Sequence, residues 1–121
     1  MNEPVLAVCI PTFEEESYIE KCLEALSHQT MFEMSEIIIA DYDPDNTRKT
    51  FEAVGKWAKA HKGRIKYVPV KDKGIGLARN EAVRNCGAPL ITTFDADAYF
   101  VQKDALENLV NPLMSGFQGK E

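Results

Sequence analysis

Val5 to Ile10 is an unbroken apolar run closed by Pro11, the pattern of a strand buried on both faces of a sheet. The period then changes. Glu14, Glu15, Glu16 and Ser17 precede Ile19, Cys22, Leu23 and Leu26, which recur at helical spacing. This predicts a helix ending near Gln29, with its acidic cluster at the N-terminus, where the dipole favours negative charge. Glu36 to Ala40 contains three consecutive isoleucines and predicts a second buried strand ending at Asp41. Asp43-Pro44-Asp45-Asn46 reads as a turn, after which Phe51, Val54, Trp57 and Ala58 form one apolar helical face, stopped by Gly63. Arg64 to Val70 gives a third strand, and Lys71 to Gly76 a charged loop containing glycine. Ala78, Ala82, Val83 and Cys86 predict a third helix running up to Gly87. Pro89 to Phe94 forms a fourth strand that runs into Asp95 and Asp97, and Leu106, Leu109, Val110 and Leu113 predict a last short helix.

Strands alternating with helices at this spacing predict an α/β fold, a three-layer sandwich with a mostly parallel sheet, because right-handed crossovers leave few other solutions. The 121 residues, 45% of them apolar, fit a single domain spanning 1–121 with one modest core. In such sheets ligands gather at the carboxyl ends of the strands, where the strand order reverses. Thr12, Asp41, and Asp95 with Asp97 all fall at predicted strand ends, so three separate segments would converge on one crevice.

Charge narrows the choice of partner. A net charge of −5 disfavours nucleic acid and anionic lipid, and no local basic patch offsets it. Cys9, Cys22 and Cys86 are odd in number and lack metal-ligand spacing, which fits reduced thiols better than a disulfide framework. The acidic start and the short Val5 to Ile10 run suit neither a signal core nor a membrane span, so the expected location is cytoplasmic.

If residues 95 to 97 are extended, both carboxylates project from one face with Cβ atoms roughly 6 to 7 Å apart. One could accept hydrogen bonds from a ribose while the other ligates a divalent ion that also holds diphosphate oxygens, and the small Ala96 would let a ligand approach the backbone. The bland alternative is that Asp95 and Asp97 cap a helix or satisfy a turn. Phe13 offers a stacking face or a core residue, and Asp41 an acceptor for a base or ribose or a turn aspartate. Lys73 and Arg79 are either partners of a diphosphate or solvated charges. Gly74-Ile75-Gly76 lacks the third glycine of a dinucleotide fingerprint and follows the wrong strand. His28 and His61 share no metal-ligand spacing and read as surface or helix-end residues.

In order along the chain, Val8-Cys9-Ile10-Pro11-Thr12-Phe13-Glu14-Glu15, Glu36-Ile37-Ile38-Ile39-Ala40-Asp41, Gly74-Ile75-Gly76-Leu77-Ala78-Arg79-Asn80 and Phe94-Asp95-Ala96-Asp97 resemble the family 2 glycosyltransferases of the GT-A fold. The likeness covers residues 5 to 100. It implies a nucleotide-diphospho-sugar donor, UDP- or GDP-linked, held by Pro11, Thr12, Phe13, Glu15, Asp41, Lys73, Arg79, Asp95, Ala96 and Asp97. By the same resemblance Asp95 leans towards the ribose and Asp97 towards a Mg2+ or Mn2+ ion on the diphosphate. The chain departs from the family pattern at Phe13 and Glu14, where tyrosine and asparagine are usual, and at Tyr42-Asp43-Pro44-Asp45, where a second aspartate with glycine, serine and threonine is common.

Family members continue well beyond the Asp-x-Asp into the acceptor site and, in inverting enzymes, the general base. Before the terminal Glu121 this chain offers only Asp104 and Glu107 beyond that motif, so the expectation is a truncated, donor-binding half without its own base, acting on an unknown acceptor. A homo-oligomer is compatible with this reading. The alternative is a non-catalytic nucleotide-sugar-binding or assembly module. A sugar nucleotidyltransferase ranks last, since the Thr12 to Ser17 loop is acidic and has no glycine.

Overall fold

A computed structural model of the chain describes residues 3–61, 63–94, 105–108 and 110–111. The elements are β1 (Leu6–Thr12), α1 (Glu16–Ser27), a 3-10 turn (Phe32–Met34), β2 (Ser35–Tyr42), α2 (Lys49–Ala60), β3 (Ile65–Val70), α3 (Ile75–Arg84) and β4 (Leu90–Thr93). Residues 105–108 and 110–111 are helical. The strands form a sheet of order β3-β2-β1-β4, and every pairing in it is parallel. The order reverses between β1 and β4, so the switch point lies at their carboxyl ends.

Alternation along the buried strands builds two unlike cores. Leu6, Val8 and Ile10 of β1, with Ile37 and Ile39 of β2, pack against Ile19, Cys22, Leu23 and Leu26 of α1, against Ala53 and Val54 of α2, and against Leu106 and Val110. Each large side chain buried there contributes about 1.5–3 kcal/mol relative to exposure. On the other face Ala7, Cys9, Ile38 and Ala40 meet Ala78 and Ala82 of α3, with Val70 and Ala88. That layer of small residues lets α3 lie close to the sheet, since helix separation follows the size of the contacting side chains.

Several boundaries differ from the sequence expectation. Pro11 does not close β1, which continues in register with β2 through Pro11↔Ala40 to Thr12↔Asp41. Among the described residues, pairing with β4 runs from Leu6↔Leu90 to Cys9↔Thr93. The Cys9 carbonyl accepts the Phe94 N–H at 3.0 Å, so alternate residues of β1, Pro11 among them, turn their backbone groups towards β4. Proline has no N–H to give there, and its position on that side leaves the β2 ladder intact. Helix α1 ends at Ser27 with His28 as its C-cap. Helix α3 stops at Arg84 instead of reaching Cys86, because Asn85 caps it and donates from Nδ2 to the Glu81 carbonyl at 2.8 Å. Val83, inside α3, is exposed. Gly63, expected to stop α2, takes φ +79° just beyond the C-cap His61.

The three cysteines are free thiols, with Cys9 and Cys22 buried and Cys86 half-buried. Burial pushes the Cys9 thiol up to about 11, helped by the nearby Cys86 and Glu36. No described helix is long and apolar enough to cross a membrane.

Candidate functional site

Thr12, the last residue of β1, and Asp41, the last but one of β2, are register partners, and both side chains are turned to the face carrying α1 and α2. The Thr12 hydroxyl donates to Asp41 Oδ1 at 2.7 Å, and the Tyr67 hydroxyl of β3 donates to Oδ2 at 2.7 Å. Asp41 is only 2% exposed. Burial pushes its carboxyl above the usual range, the two hydroxyl donors pull it down, and the charges of Asp43 and Glu16 push it up, leaving a net upward shift. Burial, then the bond to Asp41, raises the Tyr67 phenol, which therefore stays a proton donor near neutral pH.

The loop after β2 is organised by Asp43. Its carboxylate accepts the backbone N–H groups of Arg48 and Thr47, both at 2.9 Å, and the Thr47 hydroxyl at 3.1 Å. Those bonds, with the Arg48 backbone first, hold its carboxyl below the usual range. Glu14, Asn46 and Arg48 are non-glycine residues with positive φ, and all three lie on loops at the carboxyl edge of the sheet. Local strain of this kind concentrates at functional sites. Arg48 lies 4.4 Å over the Phe51 ring, which stands edge-on to Tyr67 at 5.0 Å. Asp41, Asp43, Arg48, Phe51, Tyr67 and Pro69 line a cleft of about 390 Å3. A smaller acidic recess beside it is bordered by Glu14, Glu16, Asp41, Asp43 and Asp45.

Phe13 follows β1 and is 39% exposed, so it is not a core residue. Its ring is tilted against Tyr42 at 5.5 Å, and the Lys73 ammonium lies 5.6 Å from its centroid. The loop before α3 is thereby drawn to the end of β1. Glu15 is the N-cap residue of α1 and accepts the Phe13 N–H at 3.3 Å. Gly74, the N-cap residue of α3, has φ +142°, a backbone conformation that suits glycine alone. Arg79 is an exposed residue of α3. Pro11 is buried at the end of β1.

Asp95, Ala96 and Asp97, with the metal-binding roles expected of Asp95 and Asp97, lie outside the described residues. Among the described residues no group of three His, Cys, Asp or Glu side chains could hold a metal ion. Glu107 is turned elsewhere: it accepts the Thr30 hydroxyl at 2.8 Å, beyond the C-terminal end of α1.

Residues 7–118 match the sequence model described as glycosyl transferase family 2. The chain belongs to that family. Among relatives, it is 32% identical over 104 residues to chondroitin synthase of Escherichia coli, an alignment covering 86% of this chain and 14% of the relative. It is 37% identical over 106 residues to dolichyl N-acetyl-alpha-D-glucosaminyl phosphate 3-beta-D-2,3-diacetamido-2,3-dideoxy-beta-D-glucuronosyltransferase of Methanococcus voltae, covering 85% of this chain and 32% of the relative. Of solved structures, the mannosyltransferase PcManGT from Pyrobaculum calidifontis, in complex with GDP-Man and Mn2+, superposes with a TM-score of 0.76 at 28% identity, covering 91% of this chain and 32% of that one. S. aureus TarS 1-349 in complex with UDP-GlcNAc gives a TM-score of 0.72 at 25% identity, covering 88% of this chain and 30% of that one. This family 2 domain therefore has the GT-A fold and spans about a third or less of the length of these proteins.

Sequence reasoning singled out Thr12 and Asp41 separately, and the structure joins them in one hydrogen bond. It missed Tyr67, whose partner is 26 residues away, and the Arg48–Phe51 wall. Only the phenol placed in a strand neighbouring the one that ends at Asp41 could have pointed to Tyr67.

Proposed function

We propose that this family 2 domain captures a UDP- or GDP-linked sugar together with Mg2+ or Mn2+ and presents the sugar for transfer to an acceptor hydroxyl. The observation that carries the reading is the Thr12–Asp41 pair, closing the carboxyl ends of β1 and β2 beside the 390 Å3 cleft. It is supported by neighbours of the same fold whose complexes hold GDP-Man with Mn2+ and UDP-GlcNAc.

Each half-exposed or buried group has a role that its geometry allows. Asp41 keeps acceptor capacity on both oxygens after the hydroxyls of Thr12 and Tyr67 have bonded, and can receive an N–H from a base or a ribose hydroxyl. The open face of Phe13 can stack on the base. Lys73, held beside that ring, brings positive charge to an edge otherwise rich in carboxylates. The acidic recess repels a bare diphosphate, which favours a cation-loaded donor.

The donor set of Asp95 and Asp97 consists of oxygens alone and suits a hard divalent ion, with Asp95 assigned to the ribose and Asp97 to the ion by the family resemblance. Bound there, the ion would supply Lewis acidity against the charge of a departing diphosphate. In the transfer, the acceptor oxygen would bond to the anomeric carbon as the bond to the nucleoside diphosphate breaks, with the hydroxyl proton passing to a base. Glu107, bonded to Thr30, is not placed for that task, so the residues assigned here serve donor capture and departure of the leaving group.

Titration calorimetry with UDP and GDP, each with and without Mn2+, tests the reading. Binding of one nucleotide strengthened by the metal is expected, and Asp97→Ala should remove the metal-dependent increment while leaving the far-ultraviolet circular dichroism unchanged. A folded chain that binds neither nucleotide overturns the proposal.

A further inference from the structure

The two hydroxyls that hold Asp41 are not equivalent. Thr12 is its direct register partner on β1. Tyr67 instead pairs with Ile39, two residues earlier on the same face of β2, so the phenol leans across one pleat to reach Oδ2. A carboxylate with a donor on one oxygen alone remains free to swing about its broad terminal torsion. A second donor on the other oxygen fixes its plane. The ring that makes this second bond is itself held, standing edge-on to Phe51 at an interplanar angle of 79°. Phe51 in turn carries the Arg48 guanidinium, next to the N-terminus of α2. Arg48, Phe51, Tyr67 and Asp41 all line the same cleft.

We propose that Tyr67 is a positioning residue for nucleoside capture, fixing the Asp41 carboxylate as an oriented acceptor towards the cleft and tying it to the Arg48–Phe51 wall. The role rests on the donor-site reading above. The ligand group it serves is a donor: the imide or amide N–H of a base, or a ribose hydroxyl, either of which uses the lone pairs that the two protein hydroxyls leave. Tyr67 acts through Asp41, and its own oxygen is committed to that bond.

A double-mutant cycle on nucleotide affinity reads this directly. The probe is UDP or GDP, whichever the unaltered chain binds more tightly with Mn2+. Tyr67→Phe keeps the ring against Phe51 and should weaken binding about 5- to 10-fold near neutral pH. In an Asp41→Asn background the same change should cost about twofold or less, because the partner it orients is gone.

The pH profile supplies a readout that a purely structural role would not move. The groups facing Asp41 are Thr12 from β1, Glu16 from α1, Asp43 and Arg48 from the loop before α2, and Tyr67 from β3. Removing one of the two donors to the ionised form should shift the acid limb of binding upward by about one pH unit. Asp41→Asn should lack that limb. Equal losses from Tyr67→Phe in both backgrounds, with an unmoved acid limb, overturn the proposal. Carboxyl 13C titration of Asp41 in the ligand-free chain separates the two ways of failing. A titration unchanged by Tyr67→Phe overturns the positioning role itself. A titration that moves, in a chain that binds neither nucleotide, overturns the donor-site reading and the role with it.

Discussion

Replacing Thr12 with valine nearly preserves the shape of a side chain that is 3% exposed and deletes one donor to a carboxylate that is 2% exposed. The lost bond is 2.7 Å long and made to a carboxyl that accepts it most strongly when ionised. Bonds of that kind are worth about 1.5–3 kcal/mol, and a neutral one about 1 kcal/mol. Burial already raises the carboxyl of Asp41. Between its unfolded and folded pKa the native chain therefore holds a proton that the unfolded chain has released. Stability falls as pH rises through that window and levels off above it. Thr12→Val removes one of the two bonds that oppose the upward shift, so the window widens to higher pH and the fall deepens. The destabilisation should accordingly grow from about 1 kcal/mol near pH 4 to about 2–3 kcal/mol near pH 7.5. Urea unfolding followed by the fluorescence of Trp57, the sole tryptophan, measures it at each pH. A loss that is the same across this range would refute the reasoning, because the hydroxyl would then not be acting on an ionised carboxylate.

The remaining predictions concern the nucleoside face, the core and the thiols. Phe13→Ala should weaken nucleotide binding by about 1 kcal/mol, equally with and without Mn2+, and an unaltered affinity in calorimetry would remove stacking from its role. Leu23→Ala, at a fully buried position in the larger core, should cost about 2–5 kcal/mol in urea unfolding, and a loss below about 1 kcal/mol would contradict the packing. Cys9, buried and with its thiol pushed up to about 11, should resist iodoacetamide near pH 8 in the folded chain and react only once urea unfolds it. Mass spectrometry of peptides from the alkylated chain checks this, and rapid labelling of Cys9 without urea would count against it.

The elements that hydrophobic period alone could predict are those whose burial is decided locally. The runs Val5 to Ile10 and Glu36 to Ala40 became central strands because each contains enough apolar residues to fill both faces. Their ends were less legible. Pro11 looked like a terminator, yet its nitrogen is turned to the β4 side and the ladder with β2 runs on to Thr12, an orientation that depends on strands far apart in the chain. Cys86 continued the helical spacing of Ala78 and Ala82, but the Asn85 side chain satisfies a carbonyl of the last turn and ends α3 first. Phe51 shares the apolar helical face of Val54 by its spacing, yet it faces Tyr67 and the cleft at the start of α2. Thr12, Asp41 and Phe13 were legible because strand-end polar and aromatic residues are conspicuous against buried runs. Tyr67 was not, since a phenol in a half-buried strand has many ordinary explanations until its partner is in view.

The absence of one hydrogen atom at Pro11 has a consequence for how the mouth of the crevice responds to its surroundings. On the side of β1 that faces β4, the Pro11 nitrogen carries no proton to donate or exchange, and no change of acid or salt alters that. The Asp41 carboxylate on the neighbouring strand is of the opposite kind, for it gains and loses a proton and depends on two hydroxyls for its direction. One strand end is thus fixed once, at synthesis, while the acceptor beside it remains adjustable by solution conditions.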